Sequence, residues 1–304
     1  MEAKNTVKAD FTELKIPVPW GHIAGKWWGS RNEQPIIALH GWLDNCGSFD
    51  NLAPLLVQKG FSLLCIDLPG HGFSSHLPKG QYYYLIFDGV HYLRRIVKRF
   101  GWREITIIGH SLGGSIAFLY AATFPKDVKK YISLDMAGPC GRLDSGRFLE
   151  YFRTSIENGL DNETTGEWPT YSKDQLLNIF LMAFDGSVNR AGCEVLLRRG
   201  IKKASNKEGY ILSRDPRLKD SGLEFMPISQ VLDIAPRITC EVLNIRSDAI
   251  SKSYHPEYYF MILDAIEKNS RKLERHLLSG SEHYLHLMNA NEIAPIIIKF
   301  LISQ

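Results

Sequence analysis

The chain of 304 residues is long enough to bury a large core, which suits one large α/β domain or a domain that carries an insertion. Its 36 Lys and Arg side chains nearly balance 33 Asp and Glu side chains. The resulting formal charge of +3 is too small to indicate nucleic acid or an anionic membrane as a partner. No apolar run approaches the roughly 18 residues of a membrane-spanning helix, so no integral membrane segment is expected.

The first twenty residues, MEAKNTVKADFTELKIPVPW, mix acidic and basic side chains and lack the apolar core of a signal peptide. The five cysteines are odd in number, scattered and never in a CxxC pair, which is typical of a reduced compartment without a disulfide or metal framework. The final ISQ does not resemble the peroxisomal SKL address. We therefore expect a cytoplasmic protein, with a peroxisomal association left open, that needs no metal and no organic cofactor.

The predicted elements begin with two runs, FTELKIPVP and HIAGKWWGS, that are expected to form an antiparallel hairpin at one edge of a sheet. Short apolar runs then alternate with segments of helical periodicity, which predicts βαβ units and a mostly parallel central sheet with helices on both faces. The predicted strands are PIIALH (35–40), FSLLCIDLPG (61–70), EITIIGH (104–110), KKYISLD (129–135), CEVLNIRSD (240–248) and RKLERHLLSG (271–280).

The alternation breaks between residues 140 and 235, where helical patterns follow each other without strong strands between them. This segment is predicted to be a helical cap inserted before the penultimate strand, so that residues 1–139 and 236–304 form the α/β core. Such a cap lies over the sheet edge where open α/β sheets bind ligands. Its apolar side chains are expected either to line an acyl pocket or to pack the helices together; they are Phe148, Tyr151, Phe152, Phe180, Met182 and Phe184.

The stretch ITIIGHSLGGSIAFLYAATFP contains a GxSxG motif centred on Ser111, between a β-branched run and a helical pattern. A sharp strand-to-helix turn needs small residues two before and two after the serine, and Gly109 and Gly113 stand there. The following helix would direct its N-terminus at negative charge that develops beside the serine. The pattern therefore predicts that Ser111 is a nucleophile.

A serine hydroxyl needs a general base, and His283 lies in the loop between the last predicted strand and the last helix, where such a base is required. His286, three residues further on, is a rival that is expected to pack at the start of the helix. His110 is expected to be structural because it points away from the serine that it precedes. The remaining candidates are expected to be surface or core residues; they are His22, His76, His91, His255 and His276.

The base needs an acid, and the chain order Ser, acid, His places it between Ser111 and His283. Asp248, at the end of CEVLNIRSD, is preferred because it follows the strand that returns from the insertion. Asp135, at the end of KKYISLD, stays an alternative because either strand end can reach the same histidine.

Acyl transfer also needs amides that stabilise an oxyanion. The loop LHGWLDN follows the strand PIIAL, and the missing side chain of Gly41 leaves room for amides to face the site. The amides of Trp42 and Leu112 are the predicted donors, while His40 is expected to shape the turn by a hydrogen bond.

These segments together resemble the α/β-hydrolase superfamily, in LHGWLDNCGSFD, DLPGHGFSS, GHSLGG and GSEHYLHL. The runs ELKIPVPWGHIAGKWWGS, HGWLDNCGSFDNLAPLL and SRDPRLK are similar to the serine hydrolase-like group that includes the kraken-type proteins. The resemblance implies an intracellular serine hydrolase with a helical cap. It also implies an acid loop that reads GxxD, from which IRSD departs at Ile245, and this departure keeps Asp135 in consideration.

The predicted activity is hydrolysis of carboxylic esters of small or medium size through an acyl-enzyme on Ser111 with His283 as base. Two alternatives remain: the same residues acting on a thioester, lactone or carbon–carbon bond, or a catalytically weak hydrolase fold that binds a ligand or partner. The expected partner is a small ester-like molecule, not nucleic acid. The sequence does not indicate the oligomeric state.

Overall fold

The computed structural model describes residues 10–139, 145–164, 168–220, 226–248 and 256–303. Its strands are β1 (Phe11–Val18), β2 (Gly21–Trp28), β3 (Ile36–Leu39), β4 (Leu63–Ile66), β5 (Ile105–His110), β6 (Val128–Leu134), β7 (Ile201–Lys203), β8 (Tyr210–Leu212), β9 (Glu241–Ser247) and β10 (Lys272–Leu278). Its α-helices are α1 (Ala53–Val57), α2 (Leu85–Phe100), α3 (Leu112–Thr123), α4 (Ser145–Thr164), α5 (Lys173–Phe184), α6 (Arg190–Gly200), α7 (Ile228–Ile234), α8 (Pro256–Glu267), α9 (Leu285–Met288) and α10 (Ala290–Ile302).

Eight strands form one sheet in the order β1-β2-β4-β3-β5-β6-β9-β10. The first two pair antiparallel along their whole length, and β2 also runs antiparallel to β4, which confirms the predicted edge hairpin. The other pairs of this sheet, along β4-β3-β5-β6-β9-β10, are all parallel, as the alternation of short apolar runs and helices predicts. The ends of β5, β6 and β9 therefore meet at the centre of one sheet edge.

The central strands are apolar throughout because helices cover both faces of the sheet. In β5, Ile107 belongs to the apolar cluster beneath α2, α3 and α8, whereas Ile108 belongs to the cluster beneath α1 and α10. Alternate side chains of a strand point to opposite faces, so a continuous apolar run is what two covered faces require. This packing holds the ends of the central strands in fixed positions.

The segment between β6 and β9 carries helices α4 to α7. The expectation that it lacks strong strands needs one correction, because β7 and β8 form a short antiparallel hairpin within it. Leu176, Phe180 and Leu196 of this segment share an apolar cluster with Tyr284 and Leu287. The segment therefore packs against the loop that carries His283, while the division into core and cap stays a prediction.

The apolar side chains expected in the inserted segment differ in burial. Phe180 is buried and Phe184 packs beside it with ring centroids 5.7 Å apart, which is a packing role. Met182 is 82% exposed and Phe152 is 44% exposed. The side chain of Phe148 lies outside the described residues, as does His255. Within the described ranges, no helix has both the length and the apolar content needed to cross a bilayer.

Candidate active site

The turn between β5 and α3 holds Ser111 in a conformation that few side chains adopt, with φ 51° and ψ −113°. A Cβ on Gly109 would lie 2.3 Å from the carbonyl oxygen of Gly113. A Cβ on Gly113 would lie 2.2 Å from the carbonyl oxygen of Leu39, on the neighbouring strand. Both glycines are thus sterically required, which is the physical reason for the GxSxG spacing.

Ser111 is fixed to the adjacent strand end as well as to its own helix. Its amide donates to the carbonyl oxygen of Leu134 at 3.2 Å, and its own carbonyl accepts from the amide of Ser115 at 3.0 Å. Leu134 is the last residue of β6, directly before Asp135. The parallel pairing therefore brings Ser111 and Asp135 to neighbouring positions on the same edge of the sheet.

His283 is paired with Asp135. The Nδ1–H group of His283 donates to Oδ2 of Asp135 at 2.6 Å, and the other carboxylate oxygen accepts from the amide of Ser247 at 2.6 Å. Asp135 itself has φ 54°, and its amide donates to the carbonyl oxygen of Ile245 at 2.8 Å. The Asp135 carboxylate is fully buried, whereas the His283 side chain is 32% exposed. Asp135 thus orients the imidazole of His283 through Nδ1, while part of the ring remains exposed to solvent.

Asp248, the acid preferred from the sequence, occupies a different position. Its side chain is exposed, and Oδ2 accepts from the amide of Gly280 at 2.6 Å. This bond ties the end of β9 to the start of the loop that carries His283. The preference for Asp248 as the partner of His283 is therefore corrected: the positive φ of Asp135 and the hydrogen bond from the Ser247 amide hold the Asp135 carboxylate at His283, whereas Asp248 accepts from the Gly280 amide.

The loop of His283 is also held from below by His110. Nε2–H of His110 donates to the carbonyl oxygen of His283 at 2.9 Å, and the two ring centroids are 4.6 Å apart. Burial, with smaller effects of His286 and His283, lowers the pKa of His110 well below its usual range. His110 is therefore a neutral histidine that donates a hydrogen bond to the backbone, in keeping with the structural role expected from the sequence.

The two amides predicted for the oxyanion are both available. Within the described part of the chain, neither the Trp42 amide nor the Leu112 amide has a hydrogen-bond acceptor, whereas the Leu43 amide donates to Nε2 of His71 at 3.3 Å. His40 keeps the turn in shape, since its Nδ1–H donates to the carbonyl oxygen of Gly41 and its Nε2 accepts from the amide of Leu68.

One buried ionic network near the site is not evident from the sequence. Asp67, fully buried in the DLPGHG turn, accepts from the amides of Cys46 and Phe73 at 2.8 Å each. Arg199 at the end of α6 donates to the same carboxylate at 2.6 Å and to Glu13 of β1 at 2.6 Å. A buried ion pair thus joins α6, in the segment between β6 and β9, to the turn after β4. The two residues are far apart in the sequence, so the sequence alone does not indicate this contact.

A second buried polar group includes Asp44, which lies two residues after Trp42 in the loop that follows β3. Asp44, His110 and His286 each offer a ligand atom, and these atoms all lie within 4.8 Å of one another. Oδ2 of Asp44, Nδ1 of His110 and both ring nitrogens of His286 lack a hydrogen-bond partner among the described residues. Burial raises the pKa of Asp44 to about 7 and lowers that of His286 to about 3.

Comparisons with known proteins identify the family of this chain. A family model described as alpha/beta hydrolase fold matches residues 34–168. A probable serine hydrolase of Drosophila melanogaster is 45% identical over 95% of this chain and 87% of the relative. Serine hydrolase-like protein 2 of Homo sapiens is 34% identical over 98% of this chain and 96% of the relative.

A solved structure shows the same fold over nearly the whole length. The crystal structure of a hypothetical protein from Pseudomonas aeruginosa is 25% identical and superposes with a TM-score of 0.80, covering 96% of this chain and 99% of that one. This structure and the two relatives each cover at least 95% of the chain. The chain therefore belongs to the serine hydrolase-like family of α/β hydrolases.

Proposed function

We propose that the protein is a serine hydrolase that cleaves carboxylic esters, with Ser111 as nucleophile, His283 as general base and Asp135 as the acid that orients the base. The observation that carries the proposal is the strained Ser111 turn beside a histidine held by a buried carboxylate, at 2.6 Å between Nδ1 and Oδ2. A half-buried serine at φ 51° is costly for a fold unless the conformation serves a purpose.

The first chemical step is attack of Ser111 Oγ on the acyl carbonyl, with transfer of the hydroxyl proton to Nε2 of His283. The hydrogen bond from Nδ1–H to Asp135 fixes the tautomer in which Nε2 carries the lone pair. The buried carboxylate also stabilises the imidazolium that forms. His283 then gives the proton to the leaving alcohol oxygen.

The tetrahedral intermediate carries negative charge on the former carbonyl oxygen. The amides of Trp42 and Leu112 supply two donors, and the N-terminus of the 12-residue helix α3 adds a favourable electrostatic potential. In the second half of the reaction, His283 takes a proton from water, which attacks the acyl-enzyme, and then returns that proton to Ser111 Oγ as the bond to the acyl carbon breaks and the acid leaves. Every group named in this cycle lies at the end of β3, β5, β6 or β10.

The pairing of Asp135 with His283 also bears on the two alternative functions considered from the sequence. The irregular IRSD loop was the main reason to consider a catalytically weak hydrolase fold that only binds a ligand. Because a buried carboxylate from β6 pairs with His283, that reason is weakened. Cleavage of a thioester, lactone or carbon–carbon bond needs the same three side chains, so a panel of such substrates is required to separate these activities.

The experiment is labelling with a fluorophosphonate probe together with turnover of p-nitrophenyl butyrate. We expect the wild type to be labelled, and Ser111→Ala to lose labelling and about 10⁴-fold or more of kcat. Ser115→Ala is a matched control because Ser115 lies one helical turn further in α3, is buried, and has no hydrogen-bond partner for its hydroxyl among the described residues. Absence of labelling in folded wild type, or equal labelling of Ser111→Ala, would contradict the proposal.

A further inference from the structure

Among the described residues between β6 and β9, three arginines are buried or half-buried, and two of them have counter-charges. Arg199 pairs with Asp67 and Glu13, each at 2.6 Å, and Arg217 pairs with Asp215 at 2.7 Å. Arg214, which follows β8 by two residues and is half-buried, makes one hydrogen bond to the described residues, from Nη1 to the carbonyl oxygen of Leu43 at 3.3 Å. Removing a guanidinium from water without an anionic partner is unfavourable, so this contrast needs an explanation.

The position of Arg214 is fixed by its neighbours. The amide of Ser213 donates to the carbonyl oxygen of Gly200 at 2.9 Å, and the amide of Asp215 donates to the carbonyl oxygen of Gly70 at 2.8 Å. The backbone is therefore anchored on both sides of Arg214, so the side chain is presented from a defined point.

The nearest acid in the sequence is occupied by other partners. Asp215 Oδ2 accepts from Arg217 Nη2 at 2.7 Å and from the Tyr83 hydroxyl at 2.9 Å, and its Oδ1 accepts from the amide of Arg217 at 3.0 Å. Arg217 and Tyr83 thus satisfy this carboxylate. Burial lowers the pKa of Arg214, with Tyr284 as the one group that opposes the effect. No carboxylate among the described residues compensates the Arg214 charge.

The guanidinium lies beside the proposed catalytic groups. Leu43, which accepts its hydrogen bond, follows Trp42 directly, and Tyr284 follows His283. A dipeptide spans at most about 7 Å, so Nη1 lies within about 10 Å of the Trp42 amide. The indole N–H of Trp42 also donates to the carbonyl oxygen of Leu218 at 2.8 Å. The turn that carries Trp42 and Leu43, here called the oxyanion turn, is therefore joined to the SRDPRLK segment by two hydrogen bonds.

Arg214 also lines a cavity of about 360 Å³ in the inserted segment. The other charged side chains that line it are Lys219 and Asp161, both exposed to solvent. Asn158 and Asn162 add polar groups, and Trp168 adds an apolar wall. A ligand group could therefore reach the guanidinium from a space large enough for several non-hydrogen atoms.

From these observations we infer that Arg214 binds an anionic group of the substrate, so that the substrates are acidic esters such as monoesters of dicarboxylic acids. This inference rests on the proposed esterase function and specifies its substrate class. The planar fork of an arginine accepts a carboxylate through two parallel hydrogen bonds, which fixes the acyl chain as well as attracting it. The bound carboxylate supplies the counter-charge that the protein does not, and the ester carbonyl then lies at the Trp42 and Leu112 amides.

The kinetic test compares p-nitrophenyl hemiesters of succinate and glutarate with the methyl esters of the same compounds, which have the same chain without the charge. We expect the wild type to prefer the hemiesters. In Arg214→Gln, the ratio of kcat/KM for hemiester to that for methyl ester should fall about 10- to 100-fold, because one hydrogen-bonded charge pair is lost. Arg214→Lys should recover part of that ratio.

Lys219→Gln is the matched control, since it removes one positive charge from the same cavity at an exposed position. Its ratio should change by less than about threefold, as expected for a screened surface charge. If Arg214→Gln lowers kcat/KM for both esters by the same factor, Arg214 only supports the oxyanion turn and the inference is wrong. An unchanged ratio would overturn it equally.

A binding measurement separates this inference from the proposed function. Calorimetric titration of glutarate monomethyl ester into Ser111→Ala and into Ser111→Ala/Arg214→Gln needs no turnover. We expect at least tenfold weaker binding to the double variant. Loss of Ser111 labelling in the wild type with intact Arg214-dependent binding would refute the esterase proposal alone, whereas equal binding to both variants would refute the role of Arg214 alone.

Discussion

Replacement of Asp135 by asparagine is the sharpest test of the catalytic geometry, because the structure fixes how the new side chain must sit. Oδ1 accepts from the Ser247 amide at 2.6 Å and Oδ2 accepts from Nδ1–H of His283 at 2.6 Å. In Asp135→Asn, the amide oxygen must face Ser247, since that partner is a donor. The NH₂ group is then directed at Nδ1 of His283.

The consequence for His283 is a change of tautomer. An NH₂ group at Nδ1 requires a lone pair there, so the proton moves to Nε2, and Nε2 can no longer accept the proton of Ser111. We expect kcat for p-nitrophenyl butyrate to fall about 10⁴-fold, as for the same exchange in a Ser-His-Asp triad, which corresponds to about 5 kcal/mol of transition-state stabilisation. KM should change little, because Asp135 does not contact substrate.

The control is Asp248→Asn. Asp248 is exposed and accepts only the Gly280 amide in the described structure, a bond that an asparagine oxygen can also accept. We expect kcat within about threefold of the wild type, as is usual for a surface substitution. Circular dichroism would verify that both variants are folded. A large loss in Asp248→Asn with full activity in Asp135→Asn would refute the assignment and restore the acid preferred from the sequence.

Two further predictions concern stability and reactivity. Arg199→Met leaves the buried Asp67 carboxylate without its cation, so the free energy of unfolding measured in urea should fall by about 3–5 kcal/mol. Glu13→Gln changes a half-exposed partner of the same arginine and should lower it by less than about 1 kcal/mol. Equal losses in the two variants would contradict the argument that the buried pair matters more. Burial raises the pKa of four thiols, those of Cys46, Cys65, Cys193 and Cys240. We expect these thiols to react with a disulfide reagent at pH 8 only after unfolding. Counting the reactive thiols before and after addition of urea would check this.

The nucleophile turn could be predicted from the sequence because its requirement is local. Gly109 and Gly113 are needed wherever a serine connects a strand and a helix in this way, and the contacts at 2.3 Å and 2.2 Å show why. His283 could be placed by chain order, since its loop precedes the last helix. In both cases the decisive information lies within a few residues.

The acid could not be predicted in the same way. Asp135 and Asp248 both end a parallel strand, and β6 and β9 are neighbours in the sheet. The choice depends on the positive φ of Asp135 and on the Ser247 amide, which comes from the other strand. Strand order and side-chain direction are tertiary properties, so the position of Asp248 after the strand that returns from the insertion was not sufficient to identify the partner of His283.

Arg214 illustrates a related limit. The run SRDPRLK contains two arginines on either side of one aspartate, and the sequence does not indicate which arginine takes the carboxylate. The structure assigns it to Arg217, because that side chain also reaches the carbonyl oxygens of Leu77, Pro78 and Gln81. The remaining arginine is the one that faces the oxyanion turn.

The pairing of His283 with a carboxylate from β6 has a consequence for protein engineering. Nucleophile and acid now belong to one contiguous unit, β5–α3–β6, that ends before the inserted segment begins. The connection after β9, where the acid was expected from the sequence, carries no reacting group in this assignment. Changes of sequence at that connection should therefore leave the mutual geometry of Ser111, Asp135 and His283 intact.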